Sequence, residues 1–365
     1  MNQEHDAERA TPITRIIDAT LQRAGGWLPF DRFMALALYA PGLGYYANAS
    51  RKFGHMPSSG SDFVTAPELT PLFGQTLAVQ VGEALAKTGT DEVWEFGAGS
   101  GTLALQLLDA LGERIARYRI VDLSGTLRER QQEALVSHAG KVEWLAELPE
   151  EMRGVVVGNE VLDAMPVQLL ARSGGQWFER GVVPHGDGFA WEDRPTDLRP
   201  PAEVAGAHDY LTEIHPQAEA FIATLADRLK QGAAFFIDYG FPEAEYYHPQ
   251  RHMGTVMCHR GHQADGDPLA DVGQKDITAH VNFTSIALAG QNAGLEVLGY
   301  ASQARFLLNA GILPRMEQAS VAQRALAAHL IHEHEMGELF KVVGFAVGEP
   351  WDAVGFAEGD RSHTL

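Results

Sequence analysis

The chain has 365 residues, 45% hydrophobic and 21% charged, a balance that suits one large folded core with attached subdomains and excludes wholesale disorder. Lys and Arg number 28 against 48 Asp and Glu, and the resulting formal charge of −20, with no basic patch along the sequence, argues against a nucleic-acid partner. The single cysteine, Cys258, excludes an intramolecular disulfide and a cysteine-rich zinc site, and no apolar run reaches the roughly 18 residues that a membrane span needs.

Residues Met1 to Arg9 are polar and acidic rather than basic and then apolar, so no leader is read there and the cytoplasm is the expected compartment. Ile13, Ile16, Ile17 and Leu21 recur at helical spacing, and the aromatic, turn-rich stretch Tyr39 to Tyr46 follows. Together they predict a helical cap rather than sheet. A helix is expected from Pro71 through Leu77 and Val81 to a stop near Gly89, then a first strand over Asp91 to Gly97. Thr102 to Leu111 sets Leu103, Leu107, Leu108 and Leu111 on one helical face, with Gly112 as terminator. Tyr118 to Leu123 reads as the second strand. Thr126 and Glu129 have the spacing of a capping box opening the next helix, and Val142 to Leu145 and Gly154 to Gly158 read as strands three and four. Strands alternating with helices predict a doubly wound, mostly parallel sheet.

Between Val167 and Arg194 short alternating runs around Ser173-Gly174-Gly175 and His185-Gly186-Asp187-Gly188 predict inserted hairpins, followed by a polar link over Arg194 to Glu203. A helix around Ala218 to Leu229 leads to a buried fifth strand over Ala233 to Tyr239. Glu243 to Asn282 shows no periodicity and reads as a long loop. Leu295 to Tyr300 and Leu339 to Val347 read as late strands flanking a helical stretch from Ser320 to His334, and the tail after Glu349 as loose.

The chemistry gathers where the first strand meets its helix. Gly97, Gly99 and Gly101 form a glycine turn whose backbone N–H groups and open space can wrap a nucleotide-like ligand. The dinucleotide fingerprint wants its third glycine one place later, where Thr102 stands, so the spacing departs from the nicotinamide pattern. Glu95, just ahead of the turn, would repel a pyrophosphate and attract the ammonium and sulfonium of S-adenosylmethionine. Asp122, ending the second strand, is placed to accept both ribose hydroxyls, and Trp144, ending the third, to pack on adenine. Ala98, Leu123 and Asn159 complete the expected cofactor set. A plain tight turn flanked by surface acids is the bland alternative, and the agreement of four features weighs against it.

Asn159 to Pro166 follows the fourth strand at the carboxyl edge of the sheet, where ligands bind, although Asn159 or Asp163 could equally cap the next turn. Gly60 to Glu68 places Asp62 and Glu68 in a loop before the core, where turn and helix-start roles compete with function. Asp238-Tyr239-Gly240 ends the fifth strand beside the same crevice. His259 and His262 lack a partner set, so they read as loop residues and no metal is expected.

With these motifs in order, the chain resembles the MidA-like family of methyltransferases, whose mitochondrial members assist assembly of respiratory complex I by methylating an arginine of one of its subunits. The resemblance runs from Phe30 to about Val347 through Ala37 to Tyr46, Asp62 to Glu68, Glu95 to Gly101, Asn159 to Pro166, Asp238 to Gly240 and Asp276 to Val281. Three positions depart from the family's usual residues: Ser61 for glycine, Asp122 for glutamate and Asn282 for aspartate. The resemblance implies an α/β class I methyltransferase (Rossmann-like) fold with an N-terminal helical cap (1–75), a core in two parts (76–166 and 230–348), an inserted β-hairpin subdomain (167–229) and a tail (349–365). It also implies in-line methyl transfer from S-adenosylmethionine, with Asp62, Glu68, Glu160 and Asp163 as the carboxylates that orient a guanidinium and accept its proton. A protein substrate, with a respiratory-complex subunit as the candidate, and a homodimer are the expected partners. A small-molecule acceptor, another protein residue, or an idle cofactor-binding assembly module are the alternatives left open.

Overall fold

The computed structural model describes residues 11–48, 64–122 and 125–365. Its core is a twisted sheet of seven strands, here β1 (Glu92–Phe96), β2 (Arg117–Val121), β3 (Val142–Leu145), β4 (Met152–Asn159), β5 (Leu229–Phe241), β6 (Leu295–Ser302) and β7 (Phe340–Val347). They lie in the order β6-β7-β5-β4-β1-β2-β3, with β7 antiparallel to both neighbours and the pairs from β5 to β3 parallel. The runs Val155–Val157 and Ala233–Ile237 are buried on both faces, as the interior of a parallel sheet covered by helices requires. Val281–Asn282 pairs in parallel with the end of β5.

Register sets the site. Phe96 pairs with both Val121 and Gly158, and Asn159 pairs with Ile237, so Gly97, Asp122, Asn159 and Asp238 all emerge at one carboxyl edge. The chain leaves β1 for β2 on one side and returns to β4 on the other, which makes the gap between their ends the switch-point crevice of a doubly wound sheet. Helices α4 (Leu72–Thr88) and α5 (Thr102–Leu111) pack against this core. They stop at Gly89 and Gly112, both at positive φ and both expected from the sequence. Helix α6 (Gly125–Ala134) starts ahead of Thr126, which therefore lies inside the first turn and not at the N-cap that the capping-box reading gave it.

Helices α1 (Pro12–Arg23) and α2 (Phe30–Tyr39) share one apolar core with the inserted sheet, through Phe30, Phe33 and Met34 against Leu169 and Val182. The expected hairpins are present: Gln168–Ser173 with Gln176–His185, and Gln176–His185 with Gly188–Pro195. Gly174 and Gly175 take the positive φ that the tight two-residue turn demands. Two additions were not read from the sequence. Tyr210–Ile214 forms one edge of the inserted sheet, and Leu28–Pro29, inside the expected helical cap, pairs with Gly181 and Val182.

The stretch read as a long loop holds a small antiparallel sheet, with Met257–Arg260 between Gln263–Asp265 and Asp276–Thr278. Strands of three or four residues carry too little alternation to show periodicity. The tail is also ordered: Phe356 is buried, and Tyr300 N–H donates to Asp360 Oδ1 at 2.9 Å. Among the described residues no helix is long and apolar enough to cross a membrane.

Candidate active site

A cavity of about 1740 Å³ opens along the carboxyl edge of the sheet. At one end the turn after β1 is fixed by Gly97, Gly99 and Gly101 at φ of 63°, 52° and 84°. The Gly97 N–H reaches the Val121 carbonyl at 3.2 Å, and the turn feeds α5 through Gly101. A side chain on Gly97 would stand 3.0 Å from Val161 Cγ2, so the turn keeps this space open only as glycine. Glu95 is buried below the turn and accepts the Tyr118 hydroxyl at 2.7 Å. Burial, reinforced by the charge of Asp122, lifts its carboxyl to about 8 despite that bond, so it is poised to ionise when a cation arrives. Asp122 lines the same end, and Asn159 turns a buried Oδ1 that has no hydrogen-bond partner among the described residues.

The other end is built from carboxylates and tyrosines. Glu160 follows β4 in the left-handed region at φ 54°, with its N–H on the Ile237 carbonyl at 2.9 Å and its Oε1 accepting from Asn159 Nδ2 at 3.0 Å. Burial first, then the nearby charge of Asp163, raises its carboxyl to about 8. Asp163, 5% exposed, accepts the Tyr239 hydroxyl at 2.5 Å and is raised by burial to about 6, while its Oδ1 has no partner among the described residues. Glu68, buried on the short helix α3 (Ala66–Leu69), faces the same space and pushes Glu160 further up. Tyr39 and Tyr46 stack with ring centroids 5.6 Å apart; Tyr39 donates to the Ala164 carbonyl at 2.8 Å and Tyr46 to Asp276 Oδ2 at 2.9 Å.

The structure therefore brings Glu68, Glu160 and Asp163 to the same cavity as Glu95, Gly97, Ala98, Gly99, Asp122 and Asn159, the hydrogen-bonded neighbours Asn159 and Glu160 joining the two groups. Asp62 and Leu123 lie outside the described residues. Gly101 and Trp144 do not line the cavity: the Trp144 indole instead donates to Gln131 Oε1 at 2.9 Å. Glu68 does start a helix, as the plain reading had it, and lines the site as well. Asp238, which the sequence placed beside the crevice without a role, is fully buried, and its Oδ2 accepts the N–H groups of Leu162 and Asp163 at 2.9 and 3.1 Å and holds the loop that carries Asp163. Sequence reasoning missed Tyr39, Tyr46 and Asp276 as cavity residues. Among the described residues no group of three or more His, Cys, Asp or Glu is arranged to hold a metal ion.

A seven-stranded sheet with only β7 reversed, a glycine turn after β1, an acid near the end of β1 and another just after β2 define a class I S-adenosylmethionine-dependent methyltransferase. The model of the family described as "Putative S-adenosyl-L-methionine-dependent methyltransferase" matches residues 76–301, and the chain belongs to that family. A crystal structure from Burkholderia thailandensis, bound to S-adenosyl-homocysteine, is similar with a TM-score of 0.94 and 49% identity, covering 100% of this chain and 99% of that one. Of the curated proteins, the Danio rerio protein arginine methyltransferase NDUFAF7, mitochondrial, is 28% identical over 354 residues, covering 86% of this chain and 80% of its own length. Its Caenorhabditis elegans homolog is 26% identical over 331 residues, with 81% and 76% covered. The cofactor is S-adenosylmethionine.

Proposed function

We propose that the methyl acceptor is an arginine side chain of a protein, bound at the carboxylate end of the cavity. The observation that carries this is the grouping of Glu68, Glu160 and Asp163 with Tyr39, Tyr46 and Tyr239 around one space, a lining complementary to a planar, fully charged guanidinium. The names of the NDUFAF7 relatives support the same acceptor.

When bound, S-adenosylmethionine supplies an electrophilic methyl group and a sulfur leaving group. The protein's own part is alignment and proton management. Glu95 and Asp122 hold the donor end; Asp163, kept in place by Tyr239 and by the Asp238 clamp on its backbone, and Glu160 orient the guanidinium. As the N–C bond forms and the C–S bond breaks, the attacked nitrogen must lose one proton. Glu160, which burial keeps protonated up to about 8 in the ligand-free protein, is ionised by the charge of the bound guanidinium, and the resulting carboxylate, more basic than an exposed one, takes that proton.

The test is incubation of the purified protein with methyl-labelled S-adenosylmethionine and cell extract, followed by hydrolysis and identification of the labelled amino acid. Label in methylarginine, lost in Glu160→Gln while S-adenosyl-homocysteine still binds, is the expected result. Label in another residue or only in small molecules would replace the arginine reading; no label with intact cofactor binding would favour an idle assembly module.

A further inference from the structure

Gln131 sits fully buried on α6, in the polar run Arg128 to Glu133, and no chemistry described so far uses it. Its amide makes three hydrogen bonds. Nε2 donates to the Gly99 carbonyl at 3.0 Å and to Asp122 Oδ2 at 2.9 Å, and Oε1 accepts from Trp144 Nε1 at 2.9 Å. An indole N–H can only donate and a carbonyl can only accept, so the partners themselves decide which amide atom points where. Gly101 completes the contact: a side chain there would meet Gln131 Cα at 3.3 Å, so the glycine turn rests on the α6 backbone at this residue.

We propose that Gln131 is a positioning residue for the cofactor, its amide locking the glycine turn, the Asp122 carboxylate and the Trp144 indole into one relation in which both strand ends grip the same adenosyl ligand. The β1–β2 ladder ends at Phe96 and Val121, and beyond the Gly97 N–H its hydrogen bonds no longer fix the two loops against each other. Gln131 supplies that link from behind, since it does not line the cavity. No other residue type does the same work. Leucine fills the space without donors, and an ionised glutamate presents an acceptor to two acceptors.

The experiment is isothermal titration of the full-length protein with S-adenosyl-homocysteine. Gln131→Leu is expected to weaken binding about tenfold or more, the worth of hydrogen bonds to a charged partner. Gln131→Glu should bind worse still at about pH 8.5. Near pH 5.5 burial beside Asp122 keeps the new carboxyl protonated, its one O–H restores one of the two donations, and the loss relative to wild type at the same pH should be clearly smaller than at about pH 8.5. A residue that only fills the core has no reason to show that rescue. Adding Asp122→Asn to Gln131→Leu should cost less than the sum of the two single losses, because the amide acts through that carboxylate. Should Gln131→Leu fail to fold, Trp144→Phe removes one bond outside the cavity and should weaken binding about threefold. Affinities within about twofold of wild type for the Gln131 variants, a loss in Gln131→Glu that ignores pH, or strict additivity with Asp122→Asn would overturn the proposal.

Discussion

At Glu160 backbone and side chain work against each other. A non-glycine residue at φ 54° stores on the order of 1–3 kcal/mol and persists only where its surroundings hold it. Glu160→Gly removes both that strain and a buried carboxyl. The ligand-free variant should melt no lower than wild type while label incorporation is lost, and a clear fall in melting temperature would show that the conformation is not strained. Gly99, at φ 52°, is the converse case. Gly99→Val forces a β-branched residue into the left-handed region and should weaken S-adenosyl-homocysteine by at least about a hundredfold; unchanged titration would sink the cofactor site as drawn. Both positions were legible as motif residues, because strand, turn and helix follow each other directly. Gln131 was less legible. Leu127, Gln131 and Leu135 form a buried stripe at four-residue spacing, so a glutamine at a core position of a helix was the available signal.

At the level of elements, the C-terminal segment departs most from its sequence reading. Gly299 and Gly344 face each other across β6 and β7, and side chains there would collide with the Phe356 ring at 2.2 and 2.7 Å. The two glycines thus form a slot that only a residue from 349–365 fills. Arg361 adds a bidentate pair to Glu338, with Nη2 at 3.1 Å from Oε2. Phe356→Ala should cost about 3–5 kcal/mol, read as a lowered urea midpoint, and an unchanged midpoint would show the segment to be peripheral. The tail looked loose because its one large apolar anchor lies among Gly, Asp and Glu, and the slot that receives it is made elsewhere. The strands in 257–278 were hidden for a related reason: at three or four residues they are defined by their partners rather than by their own pattern.

Over the whole molecule the buried acids set a pH dependence. Glu95 and Glu160 hold protons up to about 8 in the folded chain, whereas the unfolded chain releases them near the ordinary 4.5. The folded state binds more protons across that window, so the stability of the ligand-free protein should fall as pH rises from about 4.5 to about 8 and level off above it. An ammonium placed beside Glu95 reverses the balance. Binding should release a proton at neutral pH, and affinity should strengthen with rising pH up to about 8. Titrations at pH 7 in two buffers of different ionisation enthalpy check this; identical heats would mean that Glu95 is already ionised.

The sequence by itself determined the alternation of strands and helices from Asp91 to Gly158, the glycine turn, the acids Glu95 and Asp122 at the ends of the first two strands, and the hairpins of the insert. Each of these is a local matter, decided by residues a few positions apart. Only the tertiary structure decided that Tyr46 meets Asp276 across 230 residues, that Asp238 clamps the Asp163 loop across 75, and that Glu68 faces Glu160. It also decided that Trp144 supports the cofactor end without lining it. The physical reason is that a buried polar side chain takes its role from the partner that satisfies it, and sheet register, not sequence spacing, chooses that partner.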